Sequence, residues 1–456
     1  MIALDMIEAV TYHGLLIPGE ISMPSSRRGF LQSAGVASAL SLSAQSYAQV
    51  AGANERIALG LIGPGGMGTA HLRTLLTQKD VRIAAVCDVD RDRLAAAAKS
   101  AAEEGREPQA TSDLRRVVEN RDISAVLIAT PDHWHTPAAL LALDAGKHVY
   151  VEKPVSHNIR EGRLLIDAVR RTGKVLQVGT QSRSTEPIRA AIRLLREGAI
   201  GEILSVRVWN SQLRRNIGKV RPSDPPAVLD YETWVGPAPM TPYRTNLLPG
   251  SWRWFHAFGC GDMGNDGVHD LDIARWGLGV DAHPQRITAL GGKYFFDDDQ
   301  EFPDTQTVVF EWDNIGTPAR TRQMIFEMRI WTPYKMEGYE NGVAFYGTTG
   351  MMLLGKEAGW KIFGPRNVER QTGACRPDLA AHHRNFFESI RNSRTPNADA
   401  TTGHLSAALC HLGNIAVRLG RTLRFDPRAE EFANDKDAQA LVSREYRNHW
   451  GRPRGA

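Results

Sequence analysis

The chain of 456 residues is long enough for two domains with sizeable cores, and 42% hydrophobic against 23% charged residues is ordinary globular composition. A net charge of +4 spread over that length leaves no concentrated basic tract, so nucleic acid is excluded as an implied partner. Four cysteines, Cys87, Cys260, Cys375 and Cys410, show no C-x-x-C spacing; neither a zinc site nor a redox motif is indicated, no metal is expected, and the thiols are expected buried and free, with a pairing of Cys260 in an oxidising compartment left open.

At the start of the chain, Ser26-Arg27-Arg28-Gly29-Phe30-Leu31-Gln32 resembles a twin-arginine export signal. The alanine- and serine-rich stretch from Ser33 to Ala48 is too short and too polar for a stable membrane span. Ser46-Tyr47-Ala48 offers small residues for cleavage, with Leu42-Ser43-Ala44 as the competing site. Residues 23–48 are therefore expected to be a signal peptide that engages the twin-arginine machinery and delivers the folded protein to the periplasm. The 22 residues before Met23 carry two glutamates and an aspartate, unlike the short basic start of such signals. Translation is expected to begin at Met23, with residues 1–22 an artefact of gene calling.

From Ile57 to Ile62 an apolar run predicts a strand buried on both faces. Gly63-Pro64-Gly65-Gly66-Met67-Gly68 follows it and satisfies G-x-G-x-x-G. Gly63 suits the tight turn, Gly65 the approach of a pyrophosphate, and Gly68 close packing of the helix expected from Met67 to about Lys79. The amides at that helix start would bind an anion. A second strand, Val81 to Cys87, ends in Asp88, about 20 residues past the last glycine, where a carboxylate accepts from an adenosine ribose. That favours NAD over NADP, whose 2'-phosphate the carboxylate would repel; Asp90 and Arg91 can share the contact.

A helix is expected from Leu94 to about Glu104 and a strand from Ile123 to Ala129. Next come Thr130-Pro131-Asp132-His133-Trp134-His135-Thr136-Pro137, a helix from Ala138 to Ala145 capped by Gly146, and a strand from His148 to Val151 leading into Glu152-Lys153-Pro154. Alternating strands and helices define an α/β doubly wound parallel sheet over residues 54–178, with its ligand outside the carboxyl ends of the strands. Thr130, Asp132, His133, Glu152 and Lys153 sit at those ends and face the crevice; Thr130, Pro131, His133, His135, Glu152 and Lys153 are the candidate cofactor-binding residues beside Gly63, Gly65, Met67, Gly68 and Asp88. Either histidine can instead cap the next helix. Lys153 suits polarisation of a carbinol oxygen as hydride leaves; a surface lysine paired with Glu152 is the alternative.

These residues, together with Ala145-Gly146-Lys147-His148-Val149 and Val178-Gly179-Thr180-Gln181-Ser182-Arg183, resemble the Gfo/Idh/MocA family over essentially the whole mature chain. The resemblance implies an N-terminal Rossmann domain and a C-terminal α+β domain with a mostly antiparallel open-faced sheet. It also implies a proline after Lys153 that is often cis, a lysine reaching nicotinamide ribose and substrate, and self-association as a dimer or tetramer. In agreement, alternating runs at 202–209, 305–312, 322–331 and 343–346 predict half-exposed strands, beside a helix at 188–197, in a second domain spanning 179–425. Residues 426–456 form a tail.

The second chemical cluster is Gly261-Asp262-Met263-Gly264-Asn265-Asp266-Gly267-Val268-His269-Asp270-Leu271-Asp272, opening a helix to Trp276. His269 and Asp272 lie three apart on one helical face, where the carboxylate can orient or charge the imidazole. The resemblance makes His269 the partner of Lys153 in proton transfer. The family places an aspartate four residues before this histidine; here Asn265 stands there, and an amide is no base. Asn265 is expected to bond a sugar hydroxyl, with His269 acting alone or Asp266 or Asp262 substituting. Upstream, Tyr243, Arg244, Trp252, Arg253, Trp254 and Phe255 can stack on and donate to a sugar, or simply pack. Arg183, Tyr243, Trp252, Arg253, Asn265, Asp266 and Asp272 are the candidate substrate residues. Helices are expected at 378–391 and 403–420, where His382 and His383 serve packing or solvent. The expected function is NAD-dependent oxidation of a sugar secondary alcohol with a retained cofactor. The alternative is glycoside cleavage by transient oxidation, elimination, water addition and re-reduction; a silent cofactor-bearing binder ranks third.

Overall fold

The computed structural model describes residues 56–103, 105–315 and 320–456. The expected signal peptide at 23–48 and the doubtful start at 1–22 lie outside the described residues. Six parallel strands form the first sheet: β1 (Ile57–Ile62), β2 (Val81–Cys87), β3 (Gln109–Thr111), β4 (Ala125–Ile128), β5 (His148–Val151) and β6 (Leu176–Val178), in the order β3-β2-β1-β4-β5-β6. The order reverses between β1 and β4, which opens a crevice at their carboxyl ends. Helices α1 (Gly66–Leu75), α2 (Arg91–Ala101), α3 (Leu114–Glu119), α4 (Asp132–Asp144) and α5 (Ile159–Thr172) connect these strands. This is the doubly wound sheet the sequence predicts.

Helix α4 begins six residues earlier than expected. Pro131 stands just before the first turn and Pro137 lies inside the helix, where it can give no N–H to the His133 carbonyl. That carbonyl instead accepts from Arg444 Nη2 at 2.8 Å, so the C-terminal segment completes a helix that local propensity ends. Helix α1 conversely stops at Leu75, short of Lys79.

After α6 (Glu186–Arg196) comes β7 (Ile203–Ser211), the short α7 (Tyr231–Val235) and α8 (Val268–Leu278). The remaining strands are β8 (Arg286–Gly292), β9 (Thr305–Ile315), β10 (Arg320–Arg329), β11 (Asn341–Gly347), β12 (Met351–Gly355), β13 (Gly359–Phe363), β14 (Glu369–Gly373) and β15 (Leu423–Arg424). They form one nine-stranded sheet, β14-β13-β12-β11-β7-β10-β9-β8-β15, antiparallel except where β7 meets β10. Helix α8 and helix α10 (Ala400–Leu419) supply Leu271, Ala274, Leu409 and Leu412 to the core against this sheet.

Two late segments return to the first sheet. Helix α9 (Leu379–Asn392) brings Phe386 and Phe387 to the core that holds Leu59, Leu72 and Tyr150. Beyond α10, Arg444 pairs with the buried Glu161 at 2.7 Å and Trp450 packs against Trp134, after the short α11 (Lys436–Ala440). The segment after residue 425 is thus bound in place, against its expectation as a tail. All four cysteines are buried and free. Among the described residues no helix is long and apolar enough to cross a membrane.

Candidate functional site

A cleft of about 740 Å³ opens where the strand order reverses, lined by the glycine turn, the ends of β2, β4 and β5, and residues of the second half. Gly63 takes φ +83°, and a Cβ there would lie 2.9 Å from the Ala129 backbone. A Cβ on Gly68 would lie 2.1 Å from the Gly63 carbonyl oxygen, so only glycine lets α1 approach β1 this closely. Gly66 faces open space and no side chain caps α1, which leaves its first-turn amides for an anion. Gly65 and Met67 line the same mouth.

Asp88 lines the cleft, accepts from the Asp90 amide at 2.9 Å, and is pushed up by burial to about 6. Arg93 shares this wall. Across it lies a strap that no local signal announced: Asp90 bridges Leu229, Arg91 N donates to the Val228 carbonyl and Asp230 N to the Val89 carbonyl, each at 3.0 Å. Pro226, Val228 and Leu229 of this strap line the cleft. The donors and the space suit a dinucleotide: phosphates at α1, ribose at Asp88, and the strap over that wall.

Thr130, Pro131, His135, Glu152 and Lys153 also line the cleft. The ring nitrogens of His135 lie 2.6 Å from the Pro154 carbonyl and 2.8 Å from the Thr130 carbonyl, so the ring ties two strand ends together. His133 is the exception among the cofactor candidates. It turns into the Trp234–Phe258 packing, 2.9 Å from the Trp234 carbonyl, and burial drives its pKa down to about 3. Apolar surroundings, not the cofactor, claim this ring.

Glu152 accepts from His71 at 2.9 Å, Gln181 at 2.8 Å and the Lys153 amide at 3.2 Å. Burial alone would raise its carboxyl, but the His71 bond and the charge of Lys153 hold it down at about 2. The peptide between Lys153 and Pro154 is cis. Lys153 Nζ donates to the Asn265 carbonyl at 2.5 Å, which brings the two chemical clusters into contact.

The second cluster begins with a π-helical turn, Met263–Gly267, leading into α8. Such turns recur at functional sites because the extra residue re-aims its neighbours. His269 lines the cleft, and burial, then Lys153 and Lys356, lower its pKa to about 3. It is a neutral imidazole at ordinary pH. The expected partnership with Asp272 does not form: Asp272 is fully buried, bonded at 2.8 Å by both Arg183 Nε and Nη2 and at 2.6 Å by Ser406. Arg183 also lies over Trp276, and neither partner lines the cleft, so both substrate assignments are replaced by a buried ion pair. Ion pairing wins because each buried charge requires its counterpart.

Asp266 is likewise occupied. Lys356 Nζ bonds it at 3.0 Å and Asn341 at 2.9 Å, with Gln212 a further donor, and although burial opposes ionisation, the Lys356 charge holds the carboxyl below its usual range. Lys356, between β12 and β13, also bonds Asp270 at 2.9 Å. Asp262 pairs with Arg214 at 3.0 Å. Neither Asp262 nor Asp266 is placed to substitute as a base. Asn265 lines the cleft, yet its amide is engaged, accepting from Arg253 Nε at 3.1 Å and donating to Asp262 at 2.9 Å.

Tyr243, Trp252 and Arg253 form one wall of the cleft, with the Arg253 guanidinium over the Trp252 ring at 5.0 Å. Trp254 and Phe255 belong to the core, and Arg244 reaches Asp299 at 3.5 Å. Sequence reasoning missed Gln181, Arg93, Lys356 and the strap; only Gln181 stood inside a motif.

Among the described residues one group has metal-like spacing, His283, His404 and Glu430. Both Nε2 atoms lie 2.9 Å from Glu430 Oε1, but the Arg163 guanidinium already forks onto that carboxylate, and both Nδ1 atoms lack the acceptor a ligating histidine uses. The group fits an ion-pair lock rather than a metal.

Residues 57–180 match the Gfo/Idh/MocA oxidoreductase family's NAD-binding Rossmann fold, and residues 204–298 and 364–452 its C-terminal alpha/beta domain. Inositol 2-dehydrogenase 2 of Saccharopolyspora erythraea is 32% identical over 263 residues, 56% of this chain and 63% of that protein. A glycosyl hydrolase family 109 protein of the same organism is 34% identical over 158 residues, 33% of this chain and 34% of that protein. The chain thus spans less than two thirds of the length of these curated relatives. A levoglucosan dehydrogenase solved with NADH and levoglucosan has the same fold, with a TM-score of 0.64 at 21% identity over 81% of this chain and 99% of that one. With both halves matched, the chain belongs to the Gfo/Idh/MocA oxidoreductase family, and its first domain is that family's NAD-binding Rossmann domain.

Proposed function

We propose that the protein oxidises a secondary alcohol on a sugar or cyclitol ring and keeps its NAD from one turnover to the next. The observation that carries this reading is the meeting of Lys153 and a neutral His269 in the cleft that holds the glycine cradle. When bound, the nicotinamide supplies the hydride acceptor. Lys153, steadied by the Asn265 carbonyl, donates to the carbinol oxygen and stabilises the negative charge that grows there. His269 takes the hydroxyl proton, which a neutral imidazole does and an imidazolium does not. Tyr243 and Trp252 offer aromatic faces to a ring, and Arg253 offers donors to its hydroxyls.

Retention is supported by the strap from Pro226 to Asp230, which must peel from Val89 and Arg91 before a dinucleotide leaves. The twin-arginine motif supports the same reading, since a protein exported folded to the periplasm carries its cofactor from the cytoplasm. Asp88 favours NAD over NADP. Leu290, Tyr294 and Phe295, 75%, 71% and 61% exposed, support self-association as a dimer or tetramer.

A second reading, glycoside cleavage by transient oxidation, is favoured by the glycosyl hydrolase relative and by Asp132. This buried carboxyl lines the cleft, its pKa is raised by burial, and its Oδ2 has no partner among the described residues, so it can hold a proton for a leaving group. The deciding experiment follows the reduced-nicotinamide absorbance of protein purified without added cofactor. A lasting rise with myo-inositol, levoglucosan or glucose establishes net oxidation. Aglycone release from aryl glycosides with no net change establishes cleavage. Neither response overturns both.

A further inference from the structure

Behind Glu152 a file of buried polar groups leaves the cleft in the opposite direction. His71 Nε2 is 2.9 Å from Glu152 Oε1, His71 Nδ1 is 2.8 Å from His383 Nε2, and His383 Nδ1 is 3.3 Å from Gln78 Nε2. His71 and His383 are 0% and 1% exposed. Gln78 is half-buried and lines a separate surface cavity of about 420 Å³ with Thr77, Asp80, Arg384, Glu388 and Arg391. Glu152 lines the catalytic cleft at the other end. The file therefore joins two solvent-facing cavities through buried side chains.

With the Gln78 amide oriented as it stands, one donor order runs along the file. The Gln78 amide N–H donates to His383 Nδ1, so that ring carries its proton on Nε2 and donates to His71 Nδ1; His71 in turn carries its proton on Nε2 and donates to Glu152. Every donor points toward the cleft. Packing fixes the rings: Tyr150 meets His71 at 5.1 Å and His383 at 5.7 Å edge-on, and Phe387 lies beside His383. His382, next in the chain, stays out of the file, bonded to Ser184 and the Val178 carbonyl.

We infer that Glu152, His71, His383 and Gln78 form a proton wire between the catalytic cleft and the far face of the Rossmann domain. The inference rests on the oxidoreductase reading above. Each alcohol oxidised gives a hydride to the nicotinamide and a proton to the chain, so one proton per turnover must leave a cleft closed by substrate and strap. Outward release starts with both rings protonated on Nδ1, the state an inward transfer leaves: a proton reaching Glu152 from the cleft side passes to the bare His71 Nε2, the His71 Nδ1 proton to His383 Nε2, and the His383 Nδ1 proton to the Gln78 cavity. Both rings are left with protons on Nε2, the arrangement observed. The same arrangement accepts a proton at His383 Nδ1 and passes it inward when a ketone is reduced. Gln78 gates the outer end: its Oε1, buried and without a partner among the described residues, becomes the acceptor when the amide turns over.

The test mixes cofactor-loaded protein with myo-inositol, levoglucosan or glucose at low buffer, recording nicotinamide reduction by absorbance and proton release by an indicator dye. In the wild type the two signals should coincide. In Gln78→Leu and His383→Leu, proton release should lag reduction by at least about tenfold, the loss a missing proton relay gives, and added imidazole should restore it. Coincident signals in both variants overturn the wire. A second measurement needs no turnover: ¹⁵N-histidine NMR should place the His71 proton on Nε2, exchanging with solvent at least about tenfold more slowly in Gln78→Leu, a change at the exposed end that spares the core. Unchanged exchange overturns the wire. If none of the three sugars reduces the cofactor, the oxidoreductase reading fails, and the NMR result still judges the wire.

Discussion

The two ends of the cleft are built in opposite ways. At the dinucleotide end, Gly63 to Gly68 and Asp88 come from one strand-helix-strand unit, against which the Ala129 backbone and the strap close. At the substrate end, His269 is kept neutral first by its burial among packed elements and then by Lys153 and Lys356, the latter 87 positions away in the sequence. A local end tolerates change elsewhere in the chain, whereas an end assembled from distant groups shifts when any one of them is lost. Variants at the two ends should therefore behave differently.

The largest effect is expected where the two ends touch. On the proposed reading, Lys153→Ala removes the donor to the reacting oxygen and should lower kcat by about a hundredfold or more, the loss typical of one oxyanion donor. The dinucleotide, held by the glycine turn and strap, should remain bound, as its absorbance and mass after purification will report. Cofactor loss in this variant would show that the ends are not separable.

Lys356→Met comes next. Asp270 would then be buried without its cation, with half-buried Asp266 left to Arg214 at 3.7 Å, and leaving a buried partner unpaired costs about 3–5 kcal/mol, read as a fall in Tm. The pH dependence is a sharper test. Lys356 is one of the charges that lower the His269 pKa to about 3, so its removal must raise that pKa. A group that works unprotonated loses activity as pH falls through its pKa, and the acid limb of the kcat profile should therefore move to higher pH. A limb that stays in place would sever His269 from Lys356.

This contrast also explains what could be read from the chain before folding. The parallel sheet, the glycine cradle and the Glu152-Lys153-Pro154 corner were legible because their signals are contiguous: a strand, a turn and a helix in fixed succession. Helix α4 was not, since Pro137 argues locally for a break and the donor that makes the helix tolerable, Arg444, lies in the last segment. His269 and Asp272 do occupy one helical face, as their spacing requires. Spacing alone could not show that Arg183 and Ser406 already claim Asp272. Period and motif report neighbours along the chain, but the protonation of a buried group is decided by neighbours across it.

Asn265→Asp probes that boundary with a smaller effect. It restores the family's carboxylate, but the new oxygen would face Asp262 at the position where the amide now donates over 2.9 Å. Two carboxylates at that distance cannot both ionise, so the pair should hold a proton rather than supply a base. We expect a modest loss of stability, about 1–3 kcal/mol for a buried polar group turned against its partner, and no gain in kcat. A rise in kcat of about tenfold would mean that a base is missing here and that His269 does not act alone.

The smallest effect is expected at His133, which lies beside the cofactor end in sequence but belongs to the packing between the domains in space. His133→Phe keeps a ring against Trp234 and Phe258 and removes a donor from the Trp234 carbonyl. That carbonyl keeps its bond from Trp134 Nε1 at 2.9 Å, so no acceptor is stranded and the stability change should stay within about 1 kcal/mol. The pH response should be more telling than the size. In the wild type this ring has a folded pKa of about 3 against about 6.5 unfolded, so the unfolded chain binds the proton first and stability falls as pH drops from about 6.5 toward 3. Phenylalanine has no proton to bind, and the variant should lose less Tm than the wild type across that window while its bound NAD stays unchanged. Loss of the cofactor instead would return His133 to the dinucleotide site and make the two ends of the cleft less distinct than their construction implies.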